Sequence, residues 1–531
     1  MPDDRPPSTT SSDPSAEWRP RSSPFLIAIS VMLGTFMEVL DTSVANVALP
    51  HIAGSLSATP EQATWVLTSY LISNAIVLPV SAWLSAVFGR KRFLLTCIVI
   101  FTLASAACGA ATSLGVLIFA RVLQGVGGGA LQPIAQAILL ESFPPARRGR
   151  AMAAYSMGVI VAPILGPTLG GWITDSYSWR WVFYINLPVG FLALLMTQTF
   201  IEDPPYLQRT ALRRMDYWGF AFMAVWLATL QLVLDKGQQD DWLAAEWIRW
   251  TLTLSLAAMV AFIVRELITD EPIVNLRILG DRNFAIGTAL ITAMGITLYS
   301  TTALLPLFLQ TLLGYPALEA GLAISPRGLG ALLSAMVVGR LVGVIDARVL
   351  VAGGFAFLAL SGVWLSRLTF EVAWANIAFV TFLNGLANPL IFIALSTMSF
   401  ATLRREQMGS ATGIYNLMRN IGGGIGISLA TTILARRAQT HQNILVGRMT
   451  PYDPVYQQRL EQIRRALTPK VGPHQAAQQA LGVLYRTLVA QATLLAFVDN
   501  FRLMTLLALC MMPLALLLRR VRARGAPGGA H

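Results

Sequence analysis

Charge is what this chain has least of. Of its 531 residues only 12% are Asp, Glu, Lys or Arg, while 55% are hydrophobic; soluble domains carry about twice that charged share. A soluble enzyme is excluded, because so much apolar surface has nowhere to go in water. Lysine is scarcer still: Lys91, Lys236 and Lys470 are the only ones, and none follows a glycine. A GxxxxGK[ST] nucleotide loop therefore cannot form, and no ATP-driven step is expected. Cys97, Cys108 and Cys510 all lie in apolar runs without ligand-like spacing, and His51, His441, His474 and His531 are scattered. Neither a disulfide framework, a metal site nor a cofactor follows. The net charge of +12 comes from basic residues that punctuate apolar runs and form no patch, so they read as topology signals and not as a nucleic-acid surface.

What is present is a series of apolar runs, at roughly 25–49, 63–84, 93–112, 114–139, 152–173, 182–201, 216–234, 247–267, 284–311, 318–343, 349–366, 372–395, 408–434 and 497–518. At about 20 residues per bilayer crossing, these fourteen runs make an all-α integral membrane protein with fourteen transmembrane helices. The first run has spanning length and no small-residue cleavage site after it, so it stays as the first span. Arg90, Lys91, Arg92, Arg147, Arg148, Arg150, Arg404, Arg405 and Arg519 fall on one side, whereas the short connectors opposite hold Arg180, Lys236, Arg249 and Arg367. That bias puts both termini in the cytoplasm.

A faint parallel repeat pairs QGVGGGALQP of the fourth run with NGLANPL of the twelfth. It divides the chain into a tail (1–24, Pro- and Ser-rich and expected to be disordered), a six-helix half (25–201), a linker with two extra helices (202–283), a second six-helix half (284–520) and a short tail (521–531). One outer connector, 435–496, is long and polar and contains helix-spaced LEQIRRAL and QQALGVLYRTLVAQATLLAF. It either binds a partner or caps the outer opening.

Ionisable side chains inside spans are costly to insert and therefore informative. Glu38 and Asp41 in the first run and Arg121 in the fourth are the clearest set. Asp41 lies about eight residues, or about 12 Å, from the outer end of its helix, Arg121 is at nearly the same depth, and Glu38 sits one turn deeper. Two acids and one base at low dielectric cannot all be comfortably charged, so one acid is expected to take up and release a proton; the competing reading is a buried ion pair that locks two helices. Gln124, Gln132 and Gln136 form a line at helical spacing that lines either a wet substrate cavity or an interhelical hydrogen-bond seam. Gly158, Ala162, Gly166 and Gly170, with Pro163 and Pro167, make a small-residue ridge on a helix that can bend. The cationic turn Gly89, Arg90, Lys91 and Arg92 brackets helices or only marks topology. Arg419, Asn416, Asn384 and Asn388 are further cavity candidates, and Arg327 and Arg419 have no partner that the sequence can name.

Together these residues are identified with a family. FMEVLDTSVANVALPHIAGSL, WVLTSYLI, RVLQGVGGGALQP, SMGVIVAPILGPTLGGWITD, WRWVFYINLPVG and DYWGF resemble the fourteen-span drug:proton antiporters of the major facilitator superfamily, specifically the EmrB-like branch, over roughly residues 25–520. The resemblance implies the major facilitator fold, a place in the bacterial inner membrane and alternating access. It implies proton coupling through Asp41 and Arg121, with Tyr70 of the second-span motif at the substrate cavity. It also makes Gly158, Pro163, Gly166, Pro167, Gly170 and Gly171 the antiporter motif of an exporter. An EmrA-type periplasmic adaptor and a TolC-type outer-membrane channel are the implied partners, with small hydrophobic or amphipathic compounds as substrates and the proton gradient as driving force. One departure is Ala86, where the superfamily's loop motif usually has an aspartate. Alternatives are a same-fold exporter of one endogenous metabolite (a siderophore, lipid or antibiotic) and, more remotely, a non-transporting receptor or scaffold.

Overall fold

The computed structural model describes residues 21–143, 147–203, 216–270, 272–342, 344–404 and 407–519. Most of the expected amino-terminal tail, the carboxyl-terminal tail, Arg405 and the side chains of Arg150 and Pro167 lie outside the described residues. The described chain is helical, with no sheet beyond an isolated bridge between Val342 and Ile345.

Its principal helices are α1 (Pro24–Ser55), α2 (Trp65–Phe88), α3 (Arg90–Gly109), α4 (Leu114–Ser142), α5 (Arg148–Ser176), α6 (Asn186–Phe200), α7 (Tyr217–Lys236), α8 (Glu246–Ile268), α9 (Arg282–Thr311), α10 (Glu319–Leu341), α11 (Ala347–Leu365), α12 (Trp374–Ser399), α13 (Met408–Arg448), α14 (Pro454–Val471) and α15 (Pro473–Leu516). Polar residues at the helix starts end the runs sharply. Ser113, Asp216, Asp281, Asp346 and Asp453 each accept a backbone N–H of the first turn of α4, α7, α9, α11 and α14, satisfying donors that would otherwise be orphaned. Two spans are interrupted where the sequence demands it: α4 turns at Gly129–Ala130, and α10 is broken at Pro326, which has no N–H to give.

Among the described residues, twelve helices are long and apolar enough to cross a membrane; α5 and α13, two of the fourteen expected spans, do not meet that measure. α13 carries Arg419, Arg436 and Arg437 among its apolar residues. Both still pack inside the bundle, α5 on α1 and α13 on α9 and α15. The connector at 435–496 is helical, as its helix-spaced stretches suggest. α13 runs on for 41 residues in all and α15 begins at Pro473, so the segment is a helical stalk with α14 laid against it.

The repeat is visible in the packing. α1 packs on α5 and α6, α4 on α2 and α3, and α3 on α6; in the second half α9 packs on α13 and α15, α12 on α10 and α11, and α11 on α15. The halves meet through α2 and α4 against α13, and through α5 against α10 and α12, again in matched fashion. The α7–α8 pair leans on α2 and α13 from outside.

Candidate functional site

The matched packing puts the middle of α1 between α4, α5 and α6. Asp41 there is fully buried, as are Arg121, Gln124, Ser105 and Asn186. Arg121 Nη1 lies 2.5 Å from Asp41 Oδ2 and 2.8 Å from Gln124 Oε1. Its Nε donates to the Val66 carbonyl at 2.9 Å, and its guanidinium sits 4.3 Å over the Tyr70 ring. Asp41 Oδ1 accepts from Gln124 Nε2 at 2.8 Å and from Asn186 Nδ2 at 2.7 Å. Both amides also donate to Ser105 Oγ, which donates to the Phe183 carbonyl. Each polar atom of this cluster sits where hydrocarbon would otherwise penalise it by several kcal/mol; only Arg121 Nη2 and Asn186 Oδ1 are left without a partner.

Glu38, one turn away and 5% exposed, does not join this pair. Asn74 Nδ2 donates to its Oε1 at 3.2 Å and Gln132 Nε2 to its Oε2 at 2.8 Å. The set of three expected from sequence is thus two sites: an acid–base pair, and a carboxyl held by amides. Tyr70, expected at the cavity, is buried beneath Arg121, and its hydroxyl accepts from Asn74. The glutamine line takes the seam arrangement. Gln124 serves Asp41; Gln132 joins Glu38 to Arg419, whose Nη2 donates to Gln132 Oε1; Gln136 and Asn416 bond each other across the halves at 2.9 Å. Arg419 thereby gains a partner and lies 5.7 Å from the Phe392 ring centroid. Arg327 donates to Thr302 Oγ1 at 2.8 Å and faces no acid among the described residues. Asn384 and Asn388 are buried, and each has an unpaired Oδ1.

The glycine ridge faces α1. A Cβ at Gly158 would strike Met32, one at Gly166 would strike Ser43, and one at Gly170 would come within 3.1 Å of Val44. Ser43 Oγ also reaches the Pro163 carbonyl. Gly171, in contrast, has open space beside it and takes no part in the ridge; it points off the face that meets α1. The ridge therefore brings α5 onto α1 from Met32 to Val44, on both sides of Asp41 in sequence.

At the cationic turn, Gly89 has φ +83° and a Cβ there would come 2.7 Å from Asp203 Oδ2. Asp203 Oδ1 accepts from the Lys91 backbone N–H at 2.8 Å, and Lys91 Nζ donates to the Gln198 carbonyl at 2.6 Å. Arg90 is buried in an ion pair with Glu141 of α4, while Arg92 is exposed. The turn brackets α2, α3, α4 and α6. Asp203, at the end of α6, thus places a carboxylate against the turn.

Sequence reasoning missed Asn186, Ser105, Asn74, Glu141 and Asp203. Asn186 and Asn74 carried a usable signal, since each is an amide in an apolar run; Glu141 and Asp203 sit at run ends, where acids are ordinary.

A family model described as the Major Facilitator Superfamily matches residues 31–427. The chain is 36% identical over 509 residues to the multidrug export protein EmrB of Escherichia coli (strain K12), covering 95% of this chain and 98% of that one. It is 34% identical over 516 residues to the fatty acid resistance protein FarB of Neisseria gonorrhoeae, covering 95% and 97%. It is 30% identical over 497 residues to the colistin resistance protein EmrB of Acinetobacter baumannii, covering 93% and 96%. Among solved structures, the human organic anion transporter MFSD10 (TETRAN) is similar in fold, with a TM-score of 0.59 at 14% identity over 91% of this chain and 99% of that one.

Proposed function

The chain belongs to the major facilitator superfamily, in its EmrB-like branch, and from that premise we propose that this transporter expels hydrophobic or amphipathic toxic compounds across the bacterial inner membrane in exchange for protons. The observation that carries the coupling is the sealed cluster of Asp41 of α1, Arg121 and Gln124 of α4, and Asn186 at the start of α6. A scaffold gains nothing from inserting such charges. A proton bound at Asp41 or Glu38 from outside and released inside crosses part of the membrane potential, worth about 2.3 kcal/mol per charge per 100 mV. No ATP or cofactor enters this cycle.

The reading extends to fourteen spans, for which the packing of α5 and α13 inside the bundle is the support, and to cytoplasmic termini. The stalk of α13, α14 and α15 is the proposed seat of an EmrA-type adaptor leading to a TolC-type channel; Val455 and Tyr485 are exposed on it. A narrower reading, export of one amphipathic compound such as a lipid, draws on the similarity to the fatty acid resistance protein.

The test is substrate-driven proton movement in proteoliposomes with an imposed pH gradient, for wild type and Asp41→Asn, each monodisperse on size exclusion. Dissipation of the gradient by several unrelated lipophilic compounds, in wild type only, supports coupled multidrug export. A response to lipids alone moves the narrow reading ahead, and full activity in Asp41→Asn sinks the coupling role.

A further inference from the structure

The side chain of Gln132 bonds an acid of the first half and a base of the second. Its Nε2 donates to Glu38 Oε2 at 2.8 Å and its Oε1 accepts from Arg419 Nη2. The amide dipole is therefore aligned between a carboxylate and a guanidinium. One turn along α4, Gln136 and Asn416 exchange hydrogen bonds across the same seam, both fully buried. Beyond them the halves are in contact at the end that carries the cationic turn: a Cβ at Gly149 would lie 2.7 Å from Val342, and one at Gly409 3.5 Å from Ala82.

We propose that Gln132 is a latch that holds this end of the two halves shut while Glu38 is ionised and releases it when Glu38 takes up a proton. The proposal rests on the proton-coupled reading above and adds the residue through which the proton is felt by the opposite half. A proton on Glu38 removes the charge that aligns the amide. The bond from Gln132 Nε2 then runs to a neutral carboxyl, about half as strong as one to a carboxylate, and Gln132 Oε1 has only the lone pair that Arg419 leaves to offer the new O–H. The bridge from α1 to α13 is thereby weakened, and the turn end is free to part. An exporter needs that order of events, since a protonated carrier must open inward to discharge.

The charged and titratable groups that face Glu38 are few. Asp41 on its own helix is paired with Arg121 of α4. Tyr70 of α2 shares Asn74 with Glu38. Tyr155 of α5 bonds Thr35, one turn below. Arg419 of α13 bonds Gln132 and is close enough to Glu38 to interact with its charge. Gln132 touches neither Asp41 nor Arg121, and so acts as a positioning residue for Glu38.

The test is a distance measurement between spin labels at Phe88→Cys and Ala401→Cys, which lie at the turn end of opposite halves, in a Cys510→Ser background with Cys97 and Cys108 buried. In nanodiscs, wild type is expected to shift towards the long distance by about tenfold in population ratio between about pH 8.5 and about pH 5.5. Gln132→Met, and independently Arg419→Met, should populate the long distance equally at both pH values, within about twofold, and the double variant should add nothing. Arg419→Met keeps the test alive where Gln132→Met does not fold. A wild-type pH response in either single variant overturns the latch. A wild type blind to pH overturns it too, and drug-driven proton release, measured separately, then decides whether the efflux reading stands.

Discussion

Gln124 and Asn384 hold matching places in the two halves. Each precedes a glycine, on α4 and α12 respectively, and each glycine lets its helix touch the neighbouring backbone: Gly125 against the Tyr70 carbonyl of α2, Gly385 against the Arg327 carbonyl of α10. Around them the chemistry diverges. Gln124 bonds a fully buried acid and base and shares Ser105 with Asn186. Asn384 shares a small pocket with Thr297, Thr301 and Ser361 and leaves its Oδ1 unpaired. The repeat has kept the helix packing and confined the acid–base pair to the first half. Close backbone approach is what the shared architecture requires, and charge is an addition made on one side only.

The sharpest way to break that asymmetry is to remove one member of the pair. Arg121→Met leaves Asp41 buried with amide donors alone and is expected to cost about 3–5 kcal/mol, the range for an orphaned buried charge. The double variant Asp41→Leu/Arg121→Met should be less damaged than Arg121→Met, because no unpaired ion remains. Thermal unfolding in detergent reads both. Costs that simply add would show that the two residues are not energetically coupled.

A smaller effect compares the matched amides directly. Gln124→Leu strips bonds from Asp41, Arg121 and Ser105 and is expected to lower stability by about 1–3 kcal/mol. Asn384→Leu removes an acceptor that already lacks a partner, so the same melting experiment should find it neutral or slightly stabilising. The reverse order would make the second-half pocket the loaded site.

Much of this was legible in the sequence because hydrocarbon leaves few options. Runs of spanning length must be helices, and Asp41 and Arg121 at equal depth had little choice but to meet. The partition of Glu38 away from that pair was not legible, since it depends on two amides of other helices, Asn74 and Gln132, each reaching one of its oxygens. Nor was the partner of Arg419, Gln132, which comes from the other half of the chain, more than two hundred residues away in sequence; the stalk's helices were legible in their apolar spacing, but not the packing of α14 on α15. Gly171 shows the limit of motif reasoning: it belongs to the family pattern, yet its neighbour Gly170 alone meets α1. Spacing identifies a ridge but not the side of it that touches another helix.

The smallest effect expected lies at the far end of the charge scale, on the stalk. Glu461 of α14 is bonded by Arg465 at 3.0 Å and by Arg464 at 2.9 Å, all three side chains in water. The bond from Arg465 first, and then that from Arg464, hold its carboxyl below the usual range. Because the folded value is the lower one, whatever the pair contributes is present above the unfolded carboxylate value and is lost only as pH falls through the folded one. Between neutral pH and about pH 5 the protection of residues 454–471 against hydrogen exchange should therefore stay constant after correction for intrinsic rates, and Glu461→Gln should match wild type. Solvent screening cancels on α14 what burial makes decisive around Asp41. Loss of protection in Glu461→Gln at neutral pH would mean that the stalk is held by charge and not by the packing of α14 on α15, and the contrast between the buried and the exposed ion pairs would fail.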